Sequence, residues 1–140
     1  MSPLTEWVGC ETVGIPEFDA DHDALLALAQ TLREALQSGA ASPAVQPLLD
    51  DLLELALAHF EREELELSRT SYPHLVEHTQ SHNRLLRAML HFKGDVRHAR
   101  YPPALAIKFI HAWVVEHVRI DDSRYAGHLR AAGSRKAAGE

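Results

Sequence analysis

Along four stretches of this 140-residue chain, histidine or glutamate stands where an amphipathic helix would carry leucine. His59 and Glu63 lie four residues apart, and so do His78 and His82. On a helix that spacing sets two side chains one turn apart on a single face. Burying such groups without partners is costly, on the order of several kcal/mol for an ionised carboxylate. A chain that repeats the arrangement must fold so that these groups meet one another or share a cation.

The apolar pattern around them is helical throughout. Residues 1–18, interrupted by Pro3, Gly14 and Pro16, are expected to form an irregular arm pinned to the body by Trp7, Val8, Ile15 and Phe18. Asp19 suits an N-cap, and Leu25, Leu26, Ala29, Leu32 and Leu36 then recur at helical spacing, with His22 on the same stripe, until Ser38-Gly39. A second helix is predicted to begin between Ser42 and Pro47, since proline is tolerated in an opening turn, and to run to about Arg69. Its inner face reads Val45, Leu48, Leu49, Leu52, Ala56, His59, Phe60, Glu63, Leu67. Pro73 is expected to open a third helix that runs to about Lys93, before Gly94, with the stripe Leu75, His78, His82, Leu85, Leu86, Met89, Phe92. Pro102-Pro103 opens a fourth, with Ala106, Phe109, Ile110, Trp113 and His117 facing inward. The Gly-, Ala- and Ser-rich segment from about Ala131 should fray.

These elements predict an all-α protein, an up-down-up-down antiparallel four-helix bundle over residues 19–130 with an irregular N-terminal arm (1–18) and a flexible tail (131–140). The preponderance of Ala and Leu over aromatic and β-branched residues agrees. In such a bundle the start of an odd helix lies beside the end of an even one. His22, His78 and His82 fall near starts, and His59, Glu63 and His117 near ends, so all reach one level of the bundle, facing its axis. Five imidazoles and the Glu63 carboxylate exceed one tetrahedral zinc and suit two metals with a carboxylate bridge. His91 and His111 point away from the ligand faces, His98 falls in a loop, and His128 lies about 16 Å along the axis from His117. His74 would extend the third stripe, but an opening turn favours its exposure.

Composition removes other classes. A net charge of -6 without a basic patch argues against nucleic acid. Cys10 is the only cysteine, which excludes an internal disulfide and suits a reducing cytoplasm. Neither an apolar run of membrane length nor a leader pattern is present, so a soluble cytoplasmic protein is expected.

From Trp7 and Gly14-Ile15-Pro16 through Asp19-Ala20-Asp21-His22, His59-Phe60-x-x-Glu63-Glu64, Tyr72-Pro73, His78-x-x-x-His82 and Trp113-x-x-x-His117 to Asp122, the sequence resembles the bacterial hemerythrins over nearly its whole length. The resemblance implies a non-haem di-iron centre bridged by an oxygen atom and two carboxylates. One iron would take His78, His82 and His117, the other His22 and His59, with Glu63 and Asp122 bridging. The second iron would keep an open position at which O2 binds reversibly. Helix geometry alone places Asp121 about 40° round from His117 and Asp122 about 140° round. The family's spacing selects Asp122 and implies a widened π-type turn between His117 and Asp122.

Reversible binding needs a dry apolar pocket, because water or protons reaching the bound oxygen promote its loss as peroxide. Leu25, Phe60, Trp113 and Val114 are the expected lining, although plain core packing would bury the same residues. The family usually carries leucine where this chain has Val114, which implies a roomier pocket and faster autoxidation. Glu66 replaces an apolar residue of the family. It either pairs with Arg69 at an exposed helix end or adds a carboxylate at the cluster mouth for iron uptake or proton delivery. Glu61, Arg62 and Glu64 are expected to form an ordinary solvated face. No acid or base stands out beyond the ligands, which favours binding over turnover. The sequence thus predicts an O2-binding protein acting as carrier, store, local supplier or sensor. The alternatives are a di-iron oxidoreductase acting on peroxide, nitric oxide or ferrous iron, and a zinc-binding or structural bundle. No protein partner is indicated.

Overall fold

A computed structural model describes residues 15–98, 100, 102–115 and 122–137, side chains at 42, 115, 122–124 and 133–137 excepted. The helices are α1 (Pro16–Gln37), α2 (Ser42–Arg69), α3 (Leu75–Arg97), α4 (Pro103–Val115) and α5 (Asp122–Ala137), and the described residues include no strand. α1 packs on α2, α2 on α3, and α4 returns to α1. Contacts between starts and ends establish the antiparallel order. Gln46, early in α2, donates from Nε2 to the carbonyl of Lys93, late in α3, at 3.4 Å. His22, early in α1, meets His59, late in α2. Among the described residues no helix is long and apolar enough to cross a membrane.

Several boundaries differ from expectation, each for a local reason. α1 starts at Pro16 rather than Asp19, with Ile15 as N-cap. Proline's fixed φ suits the first helical position, where no N–H is needed. Asp19 falls in the first turn instead, where its charge complements the helix dipole. Phe18 is therefore a buried helix residue, while Trp7 and Val8 lie outside the described residues. α2 runs through Pro47 in its second turn. α3 begins at Leu75, not Pro73, and passes through Gly94 to Arg97. Phe92 and Val96 are buried on either side of that glycine, and their packing outweighs its helix penalty of roughly 1 kcal/mol. α5 stays helical to Ala137, beyond the expected fraying at Ala131.

Two helix ends close with the same motif. After α1, Gly39 takes φ +79°, and the N–H of Ala40 reaches the carbonyl of Ala35 at 2.9 Å. After α2 the N–H of Tyr72 reaches Leu67 at 2.9 Å, but the left-handed position is filled by Ser71 at φ +56°. A side chain there costs roughly 1–2 kcal/mol. The turn delivers Tyr72 to a buried site beneath α2.

The interior consists of two apolar clusters. The larger contains Leu25, Leu32, Leu49, Leu52, Phe60, Met89, Ile110 and Trp113. The smaller contains Phe18, Leu67, Tyr72, Tyr125, Ala126 and Leu129. Phe60 of the larger cluster stacks on His82 with ring centroids 3.9 Å apart. Phe18 and Tyr125 of the smaller meet His59 and His78 edge to face. The polar level predicted from sequence is held between two hydrophobic layers.

Candidate metal centre

Glu63, fully buried on α2, is the centre of that level. Its Oε2 lies 2.6 Å from Nε2 of His59 and 3.5 Å from Nε2 of His22. Its Oε1 lies 3.2 Å from Nε2 of His78 and 3.0 Å from Nε2 of His82. The Nε2 atoms of His22 and His59 are 3.0 Å apart. One carboxylate thus joins two groups that could each hold a metal ion, His22–His59–Glu63 and Glu63–His78–His82, with donor atoms inside each group within 4.8 Å of one another. All five side chains are buried. The i,i+4 spacing on α2 and α3 stacks each pair, and the antiparallel packing sets the pairs face to face.

The outer nitrogens explain why a cation fits. Nδ1 of His59 lies 2.8 Å from Oδ2 of Asp21, and Nδ1 of His82 lies 2.9 Å from Oε2 of Glu64. With the ring protons on Nδ1, donating to those carboxylates, both Nε2 atoms turn lone pairs toward the lone pairs of Glu63. Such contacts at 2.6 and 3.0 Å repel unless a positive charge stands between them. Imidazole nitrogens and a shared carboxylate are a donor set for transition metals.

Of the predicted ligands, the structure brings together His22, His59, Glu63, His78 and His82. His117 and Asp121 lie outside the described residues, as does the side chain of Asp122, the first residue of α5. The widened turn expected between His117 and Asp122 falls there too. Three residues further on, Tyr125 donates from its hydroxyl to Oε2 of Glu63 at 2.5 Å, so the start of α5 reaches the cluster. Leu25, Phe60, Trp113 and Val114 are all buried in the larger apolar cluster. The indole N–H of Trp113 donates to the carbonyl of Leu85 at 2.8 Å, which satisfies the polar edge of an otherwise apolar wall.

Among the remaining histidines, the side chains of His74 and His91 are 70% and 85% exposed. His128 sits beside the hydroxyl of Thr70 at 3.0 Å, against the ring of Tyr72. Glu66 pairs with Arg69 at 2.8 Å on the surface and adds no carboxylate to the cluster.

The solvated face expected at Glu61, Arg62 and Glu64 requires correction. Glu61 is exposed, but Glu64 turns to His82 and Arg62 to Asp21. Burial pushes the Asp21 carboxyl up, but the hydrogen bonds from Arg62 and His59, with their charges, outweigh it and hold Asp21 below the ordinary carboxylate value. Asp21 in turn raises Arg62. A regularity joins these residues: each outer carboxylate adjoins a cluster residue in sequence, Asp21 beside His22 and Glu64 beside Glu63, and serves a histidine on the neighbouring helix. An acidic residue flanking a candidate ligand was the available signal. Tyr125 carried none, and its hydroxyl also overturns the expectation that no acid or base lies near the ligands.

The chain matches the Hemerythrin HHE cation binding domain family over residues 13–129. It is 28% identical over 125 residues to a hemerythrin-like protein of Naegleria gruberi, covering 88% of this chain and 92% of that one. To the bacteriohemerythrin of Stenotrophomonas maltophilia it is 22% identical over 128 residues, covering 91% and 83%. A crystal structure of wild-type hemerythrin superposes with a TM-score of 0.72 at 20% identity, over 82% of this chain and 88% of that one, and shares the four-helix bundle fold.

Proposed function

The chain belongs to the hemerythrin family, and from that premise we propose that it holds two non-haem irons and binds O2 reversibly, as a carrier, store or local supplier. The observation that carries this reading is Glu63, a buried carboxylate whose two oxygens each face a separate pair of imidazoles. His78 and His82 with His117 would hold one ion, and His22 and His59 the other, with Glu63 and Asp122 shared. Iron held there would supply the electrons and the Lewis acidity for binding a diatomic ligand. The protein supplies position and dryness. Leu25, Phe60, Trp113 and Val114, buried together in the larger apolar cluster, would keep water from the open position, and the Phe60 ring stacks on His82. Val114, in place of the family's leucine, would leave that position roomier.

A second reading has one observation in its favour. The Tyr125 hydroxyl, 2.5 Å from Glu63, is a proton donor inside the cluster, as a di-iron oxidoreductase acting on peroxide, nitric oxide or ferrous iron would use. Metal analysis and visible spectra through cycles of air and vacuum separate the two. Two irons per chain and a colour that appears in air and fades under vacuum are expected for carriage. Irreversible bleaching with peroxide release, or rapid consumption of an added oxidant, indicates the enzyme. Colourless protein with zinc overturns both. In the carrier, Val114→Leu should slow spontaneous oxidation, and a variant that oxidises as fast as the parent would remove the idea of a roomier pocket.

A further inference from the structure

We infer that Arg62, acting through Asp21, is a positioning residue for His59 that makes the two metal positions electronically unequal. His59 is fully buried, and Oδ2 of Asp21, 2.8 Å from its Nδ1, would orient the ring and favour a proton on that nitrogen. Asp21 does not meet His59 as a bare carboxylate. Arg62 grips it with both arms of a fork, from Nη2 to Oδ1 at 2.6 Å and from Nε to Oδ2 at 3.0 Å. Oδ2, the oxygen that faces His59, therefore shares its charge with a guanidinium. On the opposite side, among the described residues, Glu64 meets His82 without a guanidinium of its own. Its hydrogen-bond and ion-pair partner among the described residues is His82 alone.

An outer carboxylate raises the donor strength of a metal-bound imidazole in proportion to the charge it keeps. Glu64 thus strengthens His82 more than Asp21 strengthens His59. An ion held by His22 and His59 would then be the less electron-rich of the two and would give up an electron less readily. Under the two-iron reading, on which this inference rests, that ion is the one with the open position, where resistance to spontaneous oxidation matters most.

The surface of the same helix provides an internal control. Arg69 makes the same kind of contact with Glu66, at 2.8 Å, but that pair touches no histidine of the cluster. Arg62 and Arg69 are both substantially exposed, 45% and 62%, so alanine at either position leaves a folded protein. Arg62→Ala should lower the midpoint potential of the iron-loaded protein and hasten its oxidation in air, whereas Arg69→Ala should match the parent. Arg62→Lys, which keeps the charge but not the fork, should restore part of the shift. Asp21→Asn, which keeps an acceptor without charge, should move the potential the other way and weaken uptake of one of two Zn(II) ions by about 10-fold or more. In the metal-free protein, nitrogen NMR should find the His59 proton on Nδ1, with a chemical shift that moves in Arg62→Ala and not in Arg69→Ala. Two ions bound, with Arg62→Ala indistinguishable from Arg69→Ala in potential and in the His59 shift, would overturn the relay alone. Failure of the parent to bind two ions would overturn the two-metal reading and the relay with it.

Discussion

The two halves of α2 are equally buried, but only the second buries ionisable groups among its apolar side chains. The first half places Val45, Leu49 and Leu52 in the core, and the second places His59 and Glu63 there, all at 0–1% exposure. Apolar side chains are stabilised by leaving water, at about 25 cal/mol per Å². The same transfer penalises an ionised carboxylate, which becomes tolerable only with a compensating charge. One half of the helix therefore completes itself by packing, while the other carries donors that could hold a metal ion. The contrast teaches that depth alone does not distinguish core from site; donor chemistry does.

The sharpest way to break the contrast is at Glu63. Glu63→Ala should abolish binding of both ions and remove the metal-linked gain in stability, about 4 kcal/mol when free metal is a thousandfold above Kd. In metal-free protein the same change should cost far less, because the desolvation of the buried charge offsets its contacts with Tyr125 and the histidines. Thermal unfolding with and without Zn(II) measures both, and an equal loss in the two conditions would make Glu63 ordinary structure. Leu52→Ala is the converse. It should cost about 2–5 kcal/mol, equally in metal-free and metal-loaded protein, because Leu52 lies two helical turns from His59. Loss of metal affinity in that variant would dissolve the division between the halves.

Smaller effects sharpen the boundary. Tyr125→Phe removes a hydrogen bond to a charged group, worth about 1.5–3 kcal/mol, and should be felt most in metal-free protein, where the hydroxyl is one of few positive partners of Glu63. Denaturant titration of apo and loaded forms tests this, and a larger effect in the loaded form would move Tyr125 from supporting the carboxylate to acting on the bound ligand. On the outer face of the same helix, Arg69→Ala breaks an exposed ion pair and should change stability by about 0–1 kcal/mol in either state. A loss well beyond that range would show that the solvated face of α2 is not energetically separate from its interior.

Much of this was readable in advance, and the misses share a cause. The apolar stripes and the levels of His22, His59, Glu63, His78 and His82 follow from helical period and antiparallel order, both local or nearly so. Single-residue signals erred where burial outvoted them. Gly94 did not end α3, because Phe92 and Val96 pack on both sides of it, and Asp19 did not cap α1, because Pro16 already opens the helix. Arg62 and Glu64 read as solvent-facing because they lie off the apolar stripe. Yet the flank of a helix faces its neighbour's flank, and there they find Asp21 and His82.

The sequence by itself determined which residues could ligate, which helix carries each, and at what level they stand, because 3.6-residue periodicity and axial rise are properties of the backbone. Only the tertiary structure decided that one carboxylate would face two pairs of imidazoles, and that Asp21 and Glu64 would each serve a histidine on the adjacent helix. Those relations depend on how far each helix is rotated about its own axis against its neighbours. That rotation is set by the packing of the whole interior, and no local pattern encodes it.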